Sequence, residues 1–273
     1  MRSLATLGLI LGLAVLMMGL GWLWQRRHEN AGIVDVLWSA GLGGAAVLAA
    51  FLGQGAAAPR LLVGLCGGLW GLRLARHLWK RVRGESEDGR YRALRRHWNG
   101  AQPRFFGFFQ LQALLVAAFA VPFVIAAGNA RVRPQWLAVG AACWCLSIAG
   151  ESLADVQLAR YRSDPANRGS TCRAGLWRYS RHPNYFFEWL HWFTYAAFAV
   201  GAPIGWLALA GPLVMYVFLR YVSGIPYTEA QALRTRGDDY RDYQRRTPML
   251  FPWPPRRAPL ASARTPPAAQ TPP

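Results

Sequence analysis

Seven blocks of the chain are predominantly apolar, at 4–24, 33–53, 61–79, 105–127, 136–153, 186–200 and 203–221. None alternates apolar and polar residues with a period of two, so the pattern predicts helices and not the strands of a membrane barrel. A bilayer core of roughly 30 Å takes about 20 helical residues, which most of the blocks supply. The sixth is short. The first holds no charge and stops at Gln25-Arg26-Arg27. It is too long for a secretory leader and no small-residue cleavage site closes it, so it reads as a retained span.

The basic residues between the blocks orient them. Connections after the first, third, fifth and seventh carry 2, 8, 6 and 9 Lys/Arg, counting Arg220 with the last. The N-terminus and the other three connections carry 1, 1, 2 and 0, and Arg73 and Arg76 lie inside the third block. By the positive-inside rule, 25 against 4 places the N-terminus outside and the C-terminus in the cytoplasm. The expectation is an all-α integral membrane protein with seven transmembrane helices. Residues 1–253 then form one membrane domain, followed by a Pro/Ala/Arg-rich disordered tail over 254–273.

Composition sharpens this picture. Of 273 residues 53% are apolar, with 13 Trp, 13 Phe and 10 Tyr, and only 16% are charged. Soluble domains run nearer 25% charged, and aromatics this dense exclude disorder for the body of the chain. Four cysteines, Cys66, Cys143, Cys145 and Cys172, are too few for a disulfide scaffold and are expected as free thiols. No CxxC pair or Cys/His cluster at zinc spacing points to a metal. The net charge is +18, and 30 of the 31 basic residues are arginine. Spanning helices interrupt them, so they form no stripe for nucleic acid; Arg92, Arg95 and Arg96 read as membrane-surface anchors. No GxGxxG or GxxxxGK follows a strand, which excludes Rossmann and P-loop sites.

Ionisable groups at membrane depth are costly and usually face a cavity or a partner. Here they are Asp35, Arg73, Arg76, His77, Glu151, Asp155, Glu188 and His191. Internal pairing, such as Asp35 with Arg73 or Arg76, is the alternative to function. In ESLADVQLARYR, Glu151, Asp155 and Arg162 fall on about one helical face. Two carboxylates four apart repel unless a ligand with amide or hydroxyl donors relieves them, and Arg162 further on suits a phosphate. The arginine-rich loop beyond leads to GLWRYSRHPNYFFEW. Its Pro183 suits a first helical turn, and a helix start preceded by arginines is an anion site. A third cluster, Glu229, Arg234, Arg236, Asp238, Tyr240, Tyr243, Arg245 and Arg246, reads equally as an amphipathic surface helix.

GLWRYSRHPNYFFEW, preceded by ESLADVQLARYR, resembles the steroid 5-alpha-reductase superfamily, closest to its bacterial branch known as domain of unknown function 1295. The likeness extends to NAGIVDVLWS, GLRLARHLWKR, the Arg90-Tyr91 pair and SGIPYTEAQALRTRGDDYRDYQRRTPMLFPW. It implies a bacterial inner-membrane oxidoreductase that saturates the C=C of a conjugated ketone. NADPH is held on the cytoplasmic side by 128–253, and an apolar 3-oxo-Δ4 steroid or isoprenoid enone enters among the helices of 1–127. Asp155, Arg162, Asn184 and Glu188 match cofactor-contacting positions, Glu151 stands where the steroid reductases have Asn, and Tyr179, Arg181 and Tyr243 fall in matched segments. Arg173, His182, Tyr185, Arg236, Tyr240 and Arg246 complete the expected cofactor set. Trp22, Trp38, Trp70 and Phe109 are expected to line the substrate cavity.

Departures are as informative. The animal reductases polarise the ketone with a glutamate on span two and a tyrosine on span three. Asp35 replaces the glutamate, but Leu72 to His77 contains no tyrosine, and a His and a second Tyr upstream of Tyr243 are also missing. Asp35 is therefore expected as the acid, assisted by Arg73 or His77, since a carboxyl group near the membrane can stay protonated and donate. Two other readings remain. Arg181-His182-Pro183 with Tyr185 and Glu188 also resembles membrane methyltransferases that use S-adenosylmethionine on isoprenylcysteine or phospholipids. A non-enzymatic lipid-binding membrane protein is the third. Partners are then membrane lipid and an apolar small molecule, with neither nucleic acid nor an obligate protein.

Overall fold

A computed structural model describes residues 2–256, and among these there is no strand. The helices are α1 Arg2–His28, α2 Ile33–Leu52, α3 Ala57–Gly84, α4 Gly89–His97, α5 Gln102–Ala127, α6 Pro134–Ser163, α7 Pro183–His191, α8 Phe193–Phe198, α9 Ala210–Val217 and α10 Ile225–Arg246. Of the tail expected at 254–273, residues 257–273 lie outside the described ones.

Four helices, α1, α2, α5 and α6, are each long and apolar enough to cross a membrane, as is the stretch Gly205–Arg246, whose helix is interrupted at Ser223-Gly224. That stretch carries its apolar residues before Ser223; α10 then adds nine charged side chains and is kinked at Gly237, whose φ of 51° suits glycine. The expected third span lies within α3, which is 28 residues long but carries Arg73, Arg76, Lys80, Arg81 and Arg83 along its second half. The expected sixth span is not one helix: Trp192 separates the nine residues of α7 from the six of α8.

The chain divides into two compact units, Met1–Ala149 with Phe187–Tyr227, and Gly150–Phe186 with Thr228–Pro273. In the first unit α2 and α3 cross at glycines. A side-chain carbon on Gly71 would come within 2.6 Å of the Gly43 Cα and 2.8 Å of the Ser39 carbonyl. Gly67 and Gly71 thus let two backbones meet, as small residues four apart do between membrane helices. Gly71→Val is expected to destabilise this unit by about 1–3 kcal/mol, seen as a lower Tm in detergent. An unchanged Tm would mean that the two backbones do not meet closely at Gly43 and Gly71.

Around the crossing lies an aromatic core. Trp70, Phe109, Phe123, Trp192, Tyr195 and Phe198 are fully buried. Trp38 meets Trp70 and Phe119 edge-on at 6.4 and 5.7 Å, and Trp192 stacks on Phe123 at 5.6 Å. In the second unit Ala154, Cys172 and Trp177 form one small core, and Ala232, Tyr240 and Tyr243 another.

Candidate functional site

In the first unit Asp35 sits in the first turn of α2, and α4 supplies its partners. Asp88 caps α4 by accepting the Arg90 backbone N–H at 2.9 Å, a common helix start. This start sends two consecutive side chains to one carboxylate. The Arg90 guanidinium donates to Asp35 Oδ2 at 3.0 Å, and the Tyr91 hydroxyl donates to Oδ1 at 2.7 Å. Tyr91 is buried. Burial, and after it the Asp35 carboxylate, hold its phenol well above the usual range, although Arg90 works the other way. The phenol is therefore protonated. The helix is held in turn by Glu87, which accepts from Arg95 at 2.8 Å and from the Ala31 backbone at 2.8 Å.

The other residues expected to act on substrate fall elsewhere in this unit. Arg73 and His77 line a cavity of about 360 Å³ together with Leu69, Leu72, Arg76 and Lys80, all on α3. Asp35 is not among its walls. Trp70 and Phe109 are fully buried, Trp70 stacking on His191 at 4.7 Å. The Trp70 indole also donates to Glu188 at 3.4 Å, and His191 meets the Tyr195 hydroxyl at 2.9 Å. Trp22 packs edge-on against Phe106 at 5.2 Å.

In the second unit α6 carries Glu151, Asp155 and Arg162 on one continuous helix, as its sequence predicts. Glu151 is buried, Asp155 half-buried and Arg162 exposed. The loop beyond is pinned to this helix by the Trp177 indole, which donates to the Ala154 carbonyl at 2.9 Å, and by Gln157, which accepts the Leu176 N–H at 2.9 Å. Tyr243 donates to the carbonyls of Trp177 and Ser180. The loop's end is joined to the C-terminal segment by the Arg181 N–H to Pro248 at 2.9 Å and the Trp253 N–H to the Tyr179 carbonyl at 3.0 Å.

Glu229, which the sequence offers only as one member of a charged cluster, organises this unit. Its carboxylate accepts from Arg181 at 2.6 Å, from His182 at 3.2 Å, from Gln244 at 2.8 Å and from Tyr240 at 3.4 Å. Arg181 also donates to the carbonyls of Gln244 and Thr247 at 3.0 and 2.9 Å. Arg173 donates to Asp239 at 2.7 Å and to Asp242 at 2.8 Å, and Arg246 donates to Asp242 at 2.9 Å. Arg173, Arg181, His182, Tyr240, Tyr243 and Arg246 thus spend polar groups on the unit's own scaffold. Asn184 and Tyr185 occupy the first turn of α7 behind Pro183, with Tyr185 stacked on His182 and 3.3 Å from Thr228 Oγ1. Tyr179 is exposed, and the Arg236 guanidinium lies 5.1 Å above the Tyr240 ring.

Burial works to raise the Glu229 pKa, but hydrogen bonds from His182 and Arg181 outweigh it and bring it to about 2. Burial lowers that of His182 against the pull of Glu229, so this imidazole is neutral and donates. Both shifts act in one direction. The Glu229 contribution is complete above its ordinary 4.5 and is lost as pH falls toward about 2. The His182 contribution begins to fall away below its ordinary 6.5. Protection of the Tyr179–His182 amides, relative to their intrinsic exchange rates, is expected to hold from pH 9 to 7 and to fall stepwise in acid, with Glu229→Gln removing the lower step. Loss of protection above pH 7 would contradict it.

A family model described as a protein of unknown function (DUF1295) matches residues 21–247. The chain belongs to this family. DUF1295 lies within the steroid 5-alpha-reductase-like superfamily, so the resemblance carried by the segment from Glu151 to Glu188 is upheld at that level. The match takes in both arms of the Asp35–Tyr91 pair and all of the Glu229 network of this DUF1295 chain. No curated protein and no solved structure matches it. Among the described residues no three His, Cys, Asp or Glu side chains come together in a way that could hold a metal ion.

Proposed function

We propose that this protein is a membrane-embedded NADPH-dependent reductase that saturates the C=C of a conjugated ketone in an apolar substrate, a 3-oxo-Δ4 steroid or similar isoprenoid enone. The observation that carries the reading is a phenol that stays protonated, fixed by an ion-paired carboxylate in the apolar unit. An enone reductase needs such a donor where negative charge develops on the conjugated oxygen. We assign the donor role to Tyr91 in place of Asp35: the Asp35 carboxylate, paired with Arg90, aligns the phenol. A substrate oxygen beside Tyr91 competes for its hydrogen bond. Arg73 and His77 line a cationic cavity that suits an oxyanion or a phosphate.

The second unit suits the cofactor. From 150 to 186 and 228 to 256 it carries twelve arginines against seven carboxylates, a surplus appropriate to a ligand with three phosphates. The Glu229 network holds the loop that bears Tyr179 and leads to Asn184 and Tyr185. We assign the phosphates to Arg162 and Arg236, and the amide and ribose hydroxyls to Glu151, Asp155 and Asn184. When bound, NADPH supplies hydride to the β-carbon of the enone. The same reading includes seven spans, with α3 as the third and α7 with α8 as the sixth, an outer N-terminus, and a cofactor side facing the cytoplasm of a bacterial inner membrane. S-adenosylmethionine carries no phosphate and leaves the arginine surplus without a role. With NADPH and a panel of 3-oxo-Δ4 steroids and isoprenoid enones, purified protein is expected to yield a product two hydrogens heavier. A methylated lipid formed from S-adenosylmethionine, with no reduction of any enone, would overturn the assignment.

A further inference from the structure

A second cavity lies in the first unit, away from the ionisable groups used above. It is a groove of about 500 Å³ between the start of α6 and the segment from α8 to Leu209, a size that takes a substantial apolar ligand. Small residues, among them Ala196 and Gly205, line it together with Val139 and Phe193. Trp136 and Trp206, also in its lining, are 40% and 70% exposed, the amphipathic side chains typical of a membrane–water interface.

Two cations adjoin this greasy channel. The loop from α5 to α6 is fastened to the end of α8 by Asn129, whose side chain donates to the carbonyls of Phe198 and Val200 at 2.9 and 3.0 Å and accepts the Arg131 N–H at 3.0 Å. The Arg131 backbone rests against Gly201, itself a wall of the groove. Arg133 follows, immediately before α6, and its carbonyl accepts the Trp136 N–H at 2.9 Å. Both arginines are exposed, and among the described residues neither forms an ion pair. No acidic residue occurs from 89 to 150 or from 189 to 228, so the sequence around the groove holds no carboxylate to neutralise them.

We infer that this groove binds one acyl chain of an anionic phospholipid, whose phosphate is held by Arg131 and Arg133. Uncompensated cations beside an apolar channel at the interface select a negatively charged headgroup over a zwitterionic one. The site is independent of the reductase reading.

The test uses the full-length protein in nanodiscs, with phosphatidylglycerol or phosphatidylcholine carrying the same photoreactive acyl chain. Adducts on 136–143 and 193–209 are expected to be roughly tenfold more abundant for phosphatidylglycerol. The R131Q/R133Q double variant should reduce them to the phosphatidylcholine level, and Ala196→Leu, which fills the groove, should reduce adducts from both lipids. Thermal unfolding of each variant checks the fold, and the two exposed arginine positions keep the charge test independent of packing. Equal labelling by the two lipids, a preference that survives R131Q/R133Q, or groove adducts unaffected by Ala196→Leu in a folded protein would overturn the assignment.

Discussion

Tyr91→Phe is expected to lower turnover of a conjugated ketone by roughly 10²–10³-fold while NADPH affinity changes little, because one donor to the developing oxyanion is lost. The change removes only a hydroxyl that donates to Asp35 at 2.7 Å. Loss of one hydrogen bond should cost about 1 kcal/mol of stability, which separates a chemical role from a structural one. Asp35→Asn should fall in the same direction but less far, since the amide still meets the phenol and loses only the pairing with Arg90. Stopped-flow reduction with saturating cofactor reads the chemical step directly. Full turnover in Tyr91→Phe would assign the donor elsewhere, with Arg73 and His77 on α3 the next groups to replace.

The second large effect is expected at Glu229. It joins Arg181 and His182, which precede α7, to Tyr240 and Gln244 further along α10. Glu229→Ala leaves a largely buried guanidinium without its counter-ion, a loss on the order of 3–5 kcal/mol. The second unit is then expected to lose protection against proteolysis at the 173–182 loop and to bind NADPH at least tenfold more weakly, although Glu229 touches no cofactor in this account. Glu229→Gln, which keeps most of the hydrogen-bonding shape, should recover part of both. A Glu229→Ala protein that resists protease as the parent does would show that the network is not what holds the loop.

Much of the fold can be read from the chain because apolar runs long enough to cross a bilayer leave few other options. α1, α2 and α5 keep close to the apolar blocks that announce them, whereas α6 runs past its block to Ser163 and carries charged residues along its last turns. α3 is less legible, since its second half carries five basic residues and departs from the apolar pattern of a span. The interruption at Trp192 is illegible, because the residues on both sides remain apolar and aromatic and only packing decides the local geometry. The site divides in the same way. Glu151, Asp155 and Arg162 share a helix and are linked by local spacing alone. Asp35 and Tyr91 are 56 residues apart, and the short α4 that brings them together is polar but for Tyr91 and Leu94, so its apolar face is too brief to announce what it packs on. Glu229 is obscure for a related reason: its ion-pair partners lie 47 and 48 residues away, and within its own segment it is one carboxylate among many arginines.

The most direct test of the reductase account is a calorimetric titration of detergent-purified protein with NADPH and, separately, with S-adenosylmethionine. One NADPH is expected to bind per chain, more weakly as salt is added and roughly tenfold or more weakly in Arg162→Gln, with no heat from S-adenosylmethionine. Saturable binding of S-adenosylmethionine with none of NADPH would contradict it.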